Sequence, residues 1–210
     1  MRIDLQLRLF AFVLLSYGSS PLADENNLPI PADEFVYCTV CHGVQLMGNS
    51  IIEAPRLSEM EIWYVERQMQ AYKNGWRGAH EADVNGLEMQ PMAAYLSDAQ
   101  IAEVAEYVNA TRSELPPQTI AGDAAKGAAL YGSCAACHGA EAEGDQALGA
   151  PALRGLDDWY LVTQLENFRD GVRGGNSADT RGVQMAAATV LSDGEAIHDV
   201  VKYITNLPTN

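Results

Sequence analysis

Two short segments concentrate the reactive side chains of this chain: Cys38-Thr39-Val40-Cys41-His42 and Cys134-Ala135-Ala136-Cys137-His138. Between them they use all 4 cysteines, so one chemistry must account for every thiol. Two disulfides are the ordinary reading of four cysteines in an exported protein. A zinc site made of two CxxC knuckles spaces them by roughly 15–20 residues, whereas these pairs lie 96 residues apart. A thioredoxin-like redox pair needs a single CxxC beside a βαβ pattern, which is not found here. None of these explains a histidine after the second cysteine in both copies. Covalent haem attachment does. Thiols three positions apart on one helical turn can form thioethers with the two vinyl groups on one porphyrin edge. The adjacent imidazole then lies under the ring and ligates the iron. Cys38, Cys41, Cys134 and Cys137 are therefore expected to attach two haem c groups, with His42 and His138 as axial ligands.

The ligand on the opposite face is selected by an internal repeat. An offset of 96 residues superimposes not only the two CxxCH motifs but also Pro55 on Pro151, Leu57 on Leu153 and Trp63-Tyr64 on Trp159-Tyr160. It continues through Gln68 on Gln164, Gly75 on Gly171, Arg77-Gly78 on Arg173-Gly174, Gly86 on Gly182, Met89 on Met185 and Tyr107 on Tyr203. Between the methionine and the tyrosine the second copy drops one residue and regains it. Correspondence of this length means a duplicated domain. Met185 is the sole methionine of the second copy, whereas Met47, Met60, Met69, Met89 and Met92 compete in the first. The repeat favours Met89, since each first cysteine then precedes its methionine by the same 51 residues; Met92 is the close competitor. Met47, Met60 and Met69 read as core fillers. Thioether ligation raises the reduction potential and leaves the iron no open position.

The elements that must position these groups read as helices. Val65, Met69 and Tyr72, matched by Leu161, Leu165 and Phe168, give a middle helix in each copy. Leu96-Ser97-Asp98-Ala99-Gln100 and Leu191-Ser192-Asp193-Gly194-Glu195 carry a capping-box pattern before a terminal helix. Ile101, Val104, Ala105 and Val108 supply the apolar face of one, and Ile197, Val200, Val201 and Ile204 that of the other. The ligand methionines are expected in Gly-rich loops between these helices, and no segment alternates as a strand.

The first 23 residues are of a different kind. Arg2 and Arg8 precede the apolar run Leu9–Leu15, and small or polar residues lead to Ala23, the order of a cleaved secretory signal. No later apolar run approaches the roughly 18–20 residues needed to cross a bilayer. The formal charge is −15; without residues 1–23 there remain 11 basic and 27 acidic side chains, a charge of −16. Such a surface excludes nucleic acid as a partner and steers towards a basic docking face. His80 and His198 have no repeat partner and read as surface histidines.

CxxCH, Pro-x-Leu, a helix with Trp-Tyr, a Gly-x-Arg segment, the downstream methionine and Leu-Ser-Asp before the last helix together resemble class I cytochrome c. Two such units after a signal peptide resemble the dihaem cytochrome c4 family. The resemblance covers nearly the whole chain beyond the signal. It implies an all-α fold of two tandem class I cytochrome c domains, with a signal peptide at 1–23, domains at 24–111 and 123–210, and a linker at 112–122 containing Pro116-Pro117. The domains would pack about a pseudo-twofold axis with haem propionates near the interface. Trp63, Tyr64, Trp159 and Tyr160 are candidates for hydrogen bonds to propionates or for simple core packing, and Arg77 and Arg173 for neutralising them. It further implies a periplasmic electron carrier, not an enzyme, with no small-molecule substrate at the iron. Electrons would pass from a quinol-oxidising cytochrome complex or dehydrogenase to a terminal oxidase or reductase. Peripheral association with membrane respiratory complexes goes with this role; a subunit permanently bound to a dehydrogenase is the alternative, and a dihaem redox enzyme ranks third. One departure stands out. The second unit has a long opening helix with Gly127 before Tyr131, whereas the first has Pro31 at the position of Gly127 and Phe35 at that of Tyr131. A shorter opening helix near Pro31, and haems of unequal potential, are the expectation.

Overall fold

The computed structural model describes residues 35–209; the signal segment and Pro31 lie outside them. Among the described residues the chain forms eight helices and no extended strand. They are α1 (Val36–His42), α2 (Ile62–Lys73), α3 (Val84–Ala94) and α4 (Asp98–Ala110), then α5 (Ala124–His138), α6 (Asp158–Arg169), α7 (Thr180–Ala188) and α8 (Gly194–Thr205). The duplication is visible in their bounds. Adding 96 to α2 reproduces α6 at both ends, and α3 and α7 start in register. Even the isolated bridges Asn49–Ala54 and Asp145–Ala150 repeat.

Each half has its own core, so each buries one stripe of every long helix. In the first, Val65, Met69 and Tyr72 of α2 meet Ile101, Ala105 and Val108 of α4 around Leu46 and Met60. In the second, Leu161 and Val162 of α6 and Tyr131 of α5 close on Ile197, Val200, Val201 and Ile204 of α8. Met60 and Met69 are thus the core fillers expected, whereas Met47 is half exposed.

The α4 start carries the complete capping box: Gln100 N donates to Ser97 Oγ, and Gln100 Oε1 accepts from Ser97 N. The matching box at Ser192 does not form. Asp193 is the N-cap of α8 and accepts from Ala196 N, with Ser192 Oγ turned onto the Asp193 carboxylate. Asp193 is 96 residues beyond Ser97, so the one-residue slip is already repaired at the cap. A charged carboxylate at a helix start is favoured by the macrodipole.

In the second half α5 crosses α8 closely, and the crossing depends on Gly127. A Cβ there would lie 1.9 Å from the Asp199 carbonyl oxygen and 2.9 Å from the Tyr203 Cβ. Tyr131 and its counterpart Phe35 are both buried, but only Tyr131 has a hydroxyl, which donates to the Gly139 carbonyl. Between the halves, residues 111–123 run without helix. Asp158 holds this stretch: its carboxylate accepts from Thr119 N, Thr119 Oγ1 and Ile120 N. Burial works against that charge, yet the bonds from Ile120 and Thr119 prevail and hold the carboxyl below its ordinary range.

Gly127→Val forces α5 off α8. The expected loss is about 1–3 kcal/mol, read as a lower Tm in thermal circular dichroism; an unchanged Tm would contradict this crossing.

Candidate functional site

Both attachment helices stop at the histidine. Gly43 and Gly139 follow at φ +80°, where a side chain is strained, so the helix ends and the chain turns back. The first buried partner it meets is a proline carbonyl. His42 Nδ1 donates to Pro55 O at 2.7 Å, and His138 Nδ1 to Pro151 O at 2.8 Å. A carbonyl only accepts, so Nδ1 carries the proton and Nε2 keeps its lone pair for a metal. Burial pushes both imidazoles down in pKa against the raising effect of those bonds, and neutral imidazole is the ligating form.

The thiols stand one turn before the imidazole. All four are free of disulfides, and burial pushes the Cys38 and Cys134 thiols up. Among the described residues no three His, Cys, Asp or Glu side chains converge as a chelate, so the two CxxC pairs do not build a zinc site. Instead Cys134, Cys137, His138 and Met185 line one cavity, walled by Leu161, Phe168, Val200 and Ile204. First-half residues Tyr64, Arg67 and Gln68 close its other side.

The methionines are not in loops. Met89 sits in α3 and Met185 in α7, which corrects the expectation from glycine content. Gly86 and Gly182 lie in the first turn of these helices, where nothing larger fits. A Cβ on either would lie 2.1 Å from the carboxylate that caps the helix, Asp83 or Asp179. Those carboxylates accept from Gly86 N at 3.1 Å and Gly182 N at 2.9 Å. Met89 packs on the same cluster as Cys38, whereas Met92 is 55% exposed.

The two halves meet through a reciprocal set of polar contacts. Arg77 donates to Gln68 Oε1 of its own half and to Gln164 Oε1 and Tyr160 Oη of the other. Arg173 mirrors this, donating to Gln164 Oε1 and across to Gln68 Oε1, each at 2.7 Å. Each guanidinium also stacks on an aromatic ring of its own half, Arg77 on Tyr72 and Arg173 on Phe168. Both are buried, and among the described residues neither is ion-paired with a carboxylate. Two cations sharing two neutral acceptors are costly without an anion. Arg173 Nε is moreover buried without a hydrogen-bond partner among the described residues, while its side chain lines the cavity. Paired thiols, an imidazole with free Nε2, a thioether, apolar walls and a buried donor lacking an acceptor fit haem with its propionates. Tyr160 joins the arginines as a polar contact, while the Trp63–Tyr64 and Trp159–Tyr160 pairs also pack edge to face.

Other contacts join residues far apart in the sequence. Glu61 Oε1 accepts from Ala152 N, and Asp157 Oδ2 from Arg56 N, both across the halves. Arg67 reaches Asp179 at 3.2 Å and the Gly149 carbonyl. Glu61 and Asp157 are 96 residues apart and both acidic, so the repeat held a signal for them; Arg67 has Thr163 opposite and no such signal. His80 is exposed and His198 half exposed, as surface histidines should be.

Two helical domains, each carrying a CxxCH helix and a buried histidine held by a proline carbonyl, define a tandem c-type cytochrome. The cytochrome c family matches residues 35–112 and 124–208, and the chain belongs to it. It is 30% identical to cytochrome c-552 of Acidithiobacillus ferridurans over 95% of this chain and 86% of that protein. It is 33% identical to a thiosulfate dehydrogenase electron acceptor of Stutzerimonas stutzeri, over 81% and 78% of the two chains. The solved structure of cytochrome c4 from Acidithiobacillus ferrooxidans superposes with a TM-score of 0.66 at 29% identity, over 82% of this chain and 99% of that one. The protein is a dihaem, cytochrome c4-type electron carrier with one covalently bound haem c per domain.

A holoprotein with both arginines changed (R77Q/R173Q) should show lower midpoint potentials for both haems, because two buried positive charges no longer favour the reduced iron. Spectroelectrochemical titration measures this. Replacing all four cysteines by serine leaves each roughly 90-residue unit to fold without its macrocycle, a size at which stability is marginal. Circular dichroism should then show much of the helicity lost.

Proposed function

We propose that the chain is a freely diffusing periplasmic carrier whose irons are each saturated by one histidine and one methionine, His42 with Met89 and His138 with Met185. Cys38, Cys41, Cys134 and Cys137 hold the two macrocycles. The supporting observation is that His138 and Met185 line the same cavity as the Cys134 and Cys137 thiols. When bound, each haem supplies a one-electron ferric/ferrous couple. The protein's own part would be to offer one imidazole and one thioether to each haem, exclude water with apolar walls and present buried Arg77 and Arg173 to its carboxylates. With histidine and methionine both committed to it, a bound haem would exchange electrons and take no substrate.

Class and charge support a reading of the kinds of donor and acceptor. Electrons come from a quinol-oxidising cytochrome complex or a dehydrogenase and leave to a terminal oxidase or reductase; the relative that serves as a thiosulfate dehydrogenase electron acceptor supports a dehydrogenase as donor. Six of the basic side chains already pair with carboxylates, and Arg77 and Arg173 are buried. The remaining surface field is strongly negative and fits a partner with a basic docking face, including the exposed face of a membrane respiratory complex. Among the described residues no helix is long and apolar enough to cross a membrane.

Met185→Ala should open the second iron. The weak near-infrared sulfur-to-iron band should halve and carbon monoxide should bind one haem per chain, while the unaltered protein binds none; ready uptake of carbon monoxide by the unaltered protein would refute saturation. Association with a basic partner should slow steeply between about 0.05 and 0.2 M salt as the Debye length shrinks, which stopped-flow kinetics measures. Elution of the native protein alone from a sizing column separates a free shuttle from a permanently bound subunit.

A further inference from the structure

The peptide group that accepts the histidine's hydrogen bond is itself held from the opposite domain. Pro55 O and Arg56 N belong to one peptide unit. Its carbonyl accepts from His42 Nδ1 at 2.7 Å, and its N–H donates to Asp157 Oδ2 of the second domain at 2.6 Å. The symmetric unit is Pro151–Ala152. Its carbonyl accepts from His138 Nδ1 at 2.8 Å, and its N–H donates to Glu61 Oε1 of the first domain at 2.8 Å. Asp157 and Glu61 are the N-cap residues of α6 and α2, yet neither side chain caps its own helix. Both carboxylates are spent across the interface instead. Space is reserved for the first contact: a Cβ on Gly48 would lie 2.8 Å from Arg56 N and 3.1 Å from Asp157 Oδ2. At the equivalent Gly144 a Cβ would lie 2.5 Å from Ala152 N.

We propose that Asp157 and Glu61 are positioning residues that set the reduction potential of the haem in the other domain, each acting through one peptide group on the axial histidine. An anion accepting from an amide N–H shifts electron density onto that amide's carbonyl oxygen. The oxygen becomes a stronger acceptor for Nδ1–H, since linked hydrogen bonds polarise one another. The imidazole then gains imidazolate character and donates more strongly to iron, which favours the ferric state. Asp157 therefore lowers the potential of the first haem and Glu61 that of the second. The two chains differ: Asp157 is buried, and its peptide includes Arg56, whose guanidinium bonds Ser58 O, Gly155 O and Glu59. Ala152 offers nothing of the kind, so the two haems are tuned unequally.

This inference rests on His42 and His138 being axial ligands, and the unaltered holoprotein tests that first: a low-spin spectrum with both haems saturated is required. The variants are Asp157→Asn and Glu61→Gln, which keep an acceptor of similar shape but remove the charge. An NMR-monitored redox titration of the holoprotein follows each haem by its own resonances. Asp157→Asn should raise the reduction equilibrium constant of the first haem by a factor of about 1.3 to 5, the scale of a 10–30% change in a charge-assisted hydrogen bond, with the second nearly unmoved. Glu61→Gln should do the converse. In the reduced, diamagnetic protein the Arg56 amide and His42 Nδ1–H resonances should move together in Asp157→Asn, which a charge acting only through space would not produce. Equal shifts of both haems in either variant, or a potential change with no change at Nδ1–H, would overturn the proposal. Because either variant could loosen the interface, Asp158→Asn serves as control. It removes a neighbouring charge that bonds Thr119 and Ile120 but no relay peptide, and should leave both histidine resonances in place.

Discussion

A partner on its second nitrogen fixes the tautomer and orientation of an imidazole that is to hold a metal. In this protein that partner is reached by a single hydrogen bond per domain, from Nδ1 to a proline carbonyl thirteen residues on. Much of the local structure follows from it. The attachment helix must end at the histidine, so a glycine with positive φ comes next. The chain must then loop back to bring the proline under the ring, which the small bridge at Asn49–Ala54 or Asp145–Ala150 achieves one residue before it. Proline suits the place because it has no N–H of its own to satisfy, and its carbonyl is free to accept. Fixing the ring in this way costs little, whereas an imidazole free to rotate or change tautomer would leave the iron without a dependable donor.

The interface between the domains is polar where most domain cores are apolar. Arg77, Arg173, Gln68 and Gln164 form a closed ring of donors and acceptors with pseudo-twofold symmetry. Such a ring is unfavourable as a bare protein–protein contact, because two like charges are brought together away from water. Propionates of two cofactors, placed against it, would make it favourable. Bound haem would then complete the interface, supplying the acceptor that Arg173 Nε lacks among the described residues.

The chemistry of the site was legible from spacing: thiols, histidines and the repeat left few alternatives, and the helices appeared where their apolar periodicity set them. What was not legible was where a short polar side chain finds its partner. The glycine content around Met89 and Met185 suggests loops, yet both lie in helices whose capping aspartates leave no room for a Cβ on Gly86 or Gly182. Ser192 matched the capping pattern, but Asp193, one residue later, made the cap because its charge and extended backbone suited the helix start. Glu61 and Asp157 occupied N-cap positions and would be expected to cap; only the packed pair of domains presents the competing N–H groups. Local pattern finds local partners, and these were 91 and 101 residues away.

The stretch joining the domains is short, and Asp158 ties its far end to the start of α6. Each domain thus meets the other at an effective concentration on the order of millimolar or above. A contact too weak to hold two separate chains together is then populated nearly all the time. The tether turns a collision between two one-electron carriers into a fixed separation inside one molecule. Internal exchange becomes independent of how dilute the protein is, and only the encounter with an outside partner remains a matter of diffusion.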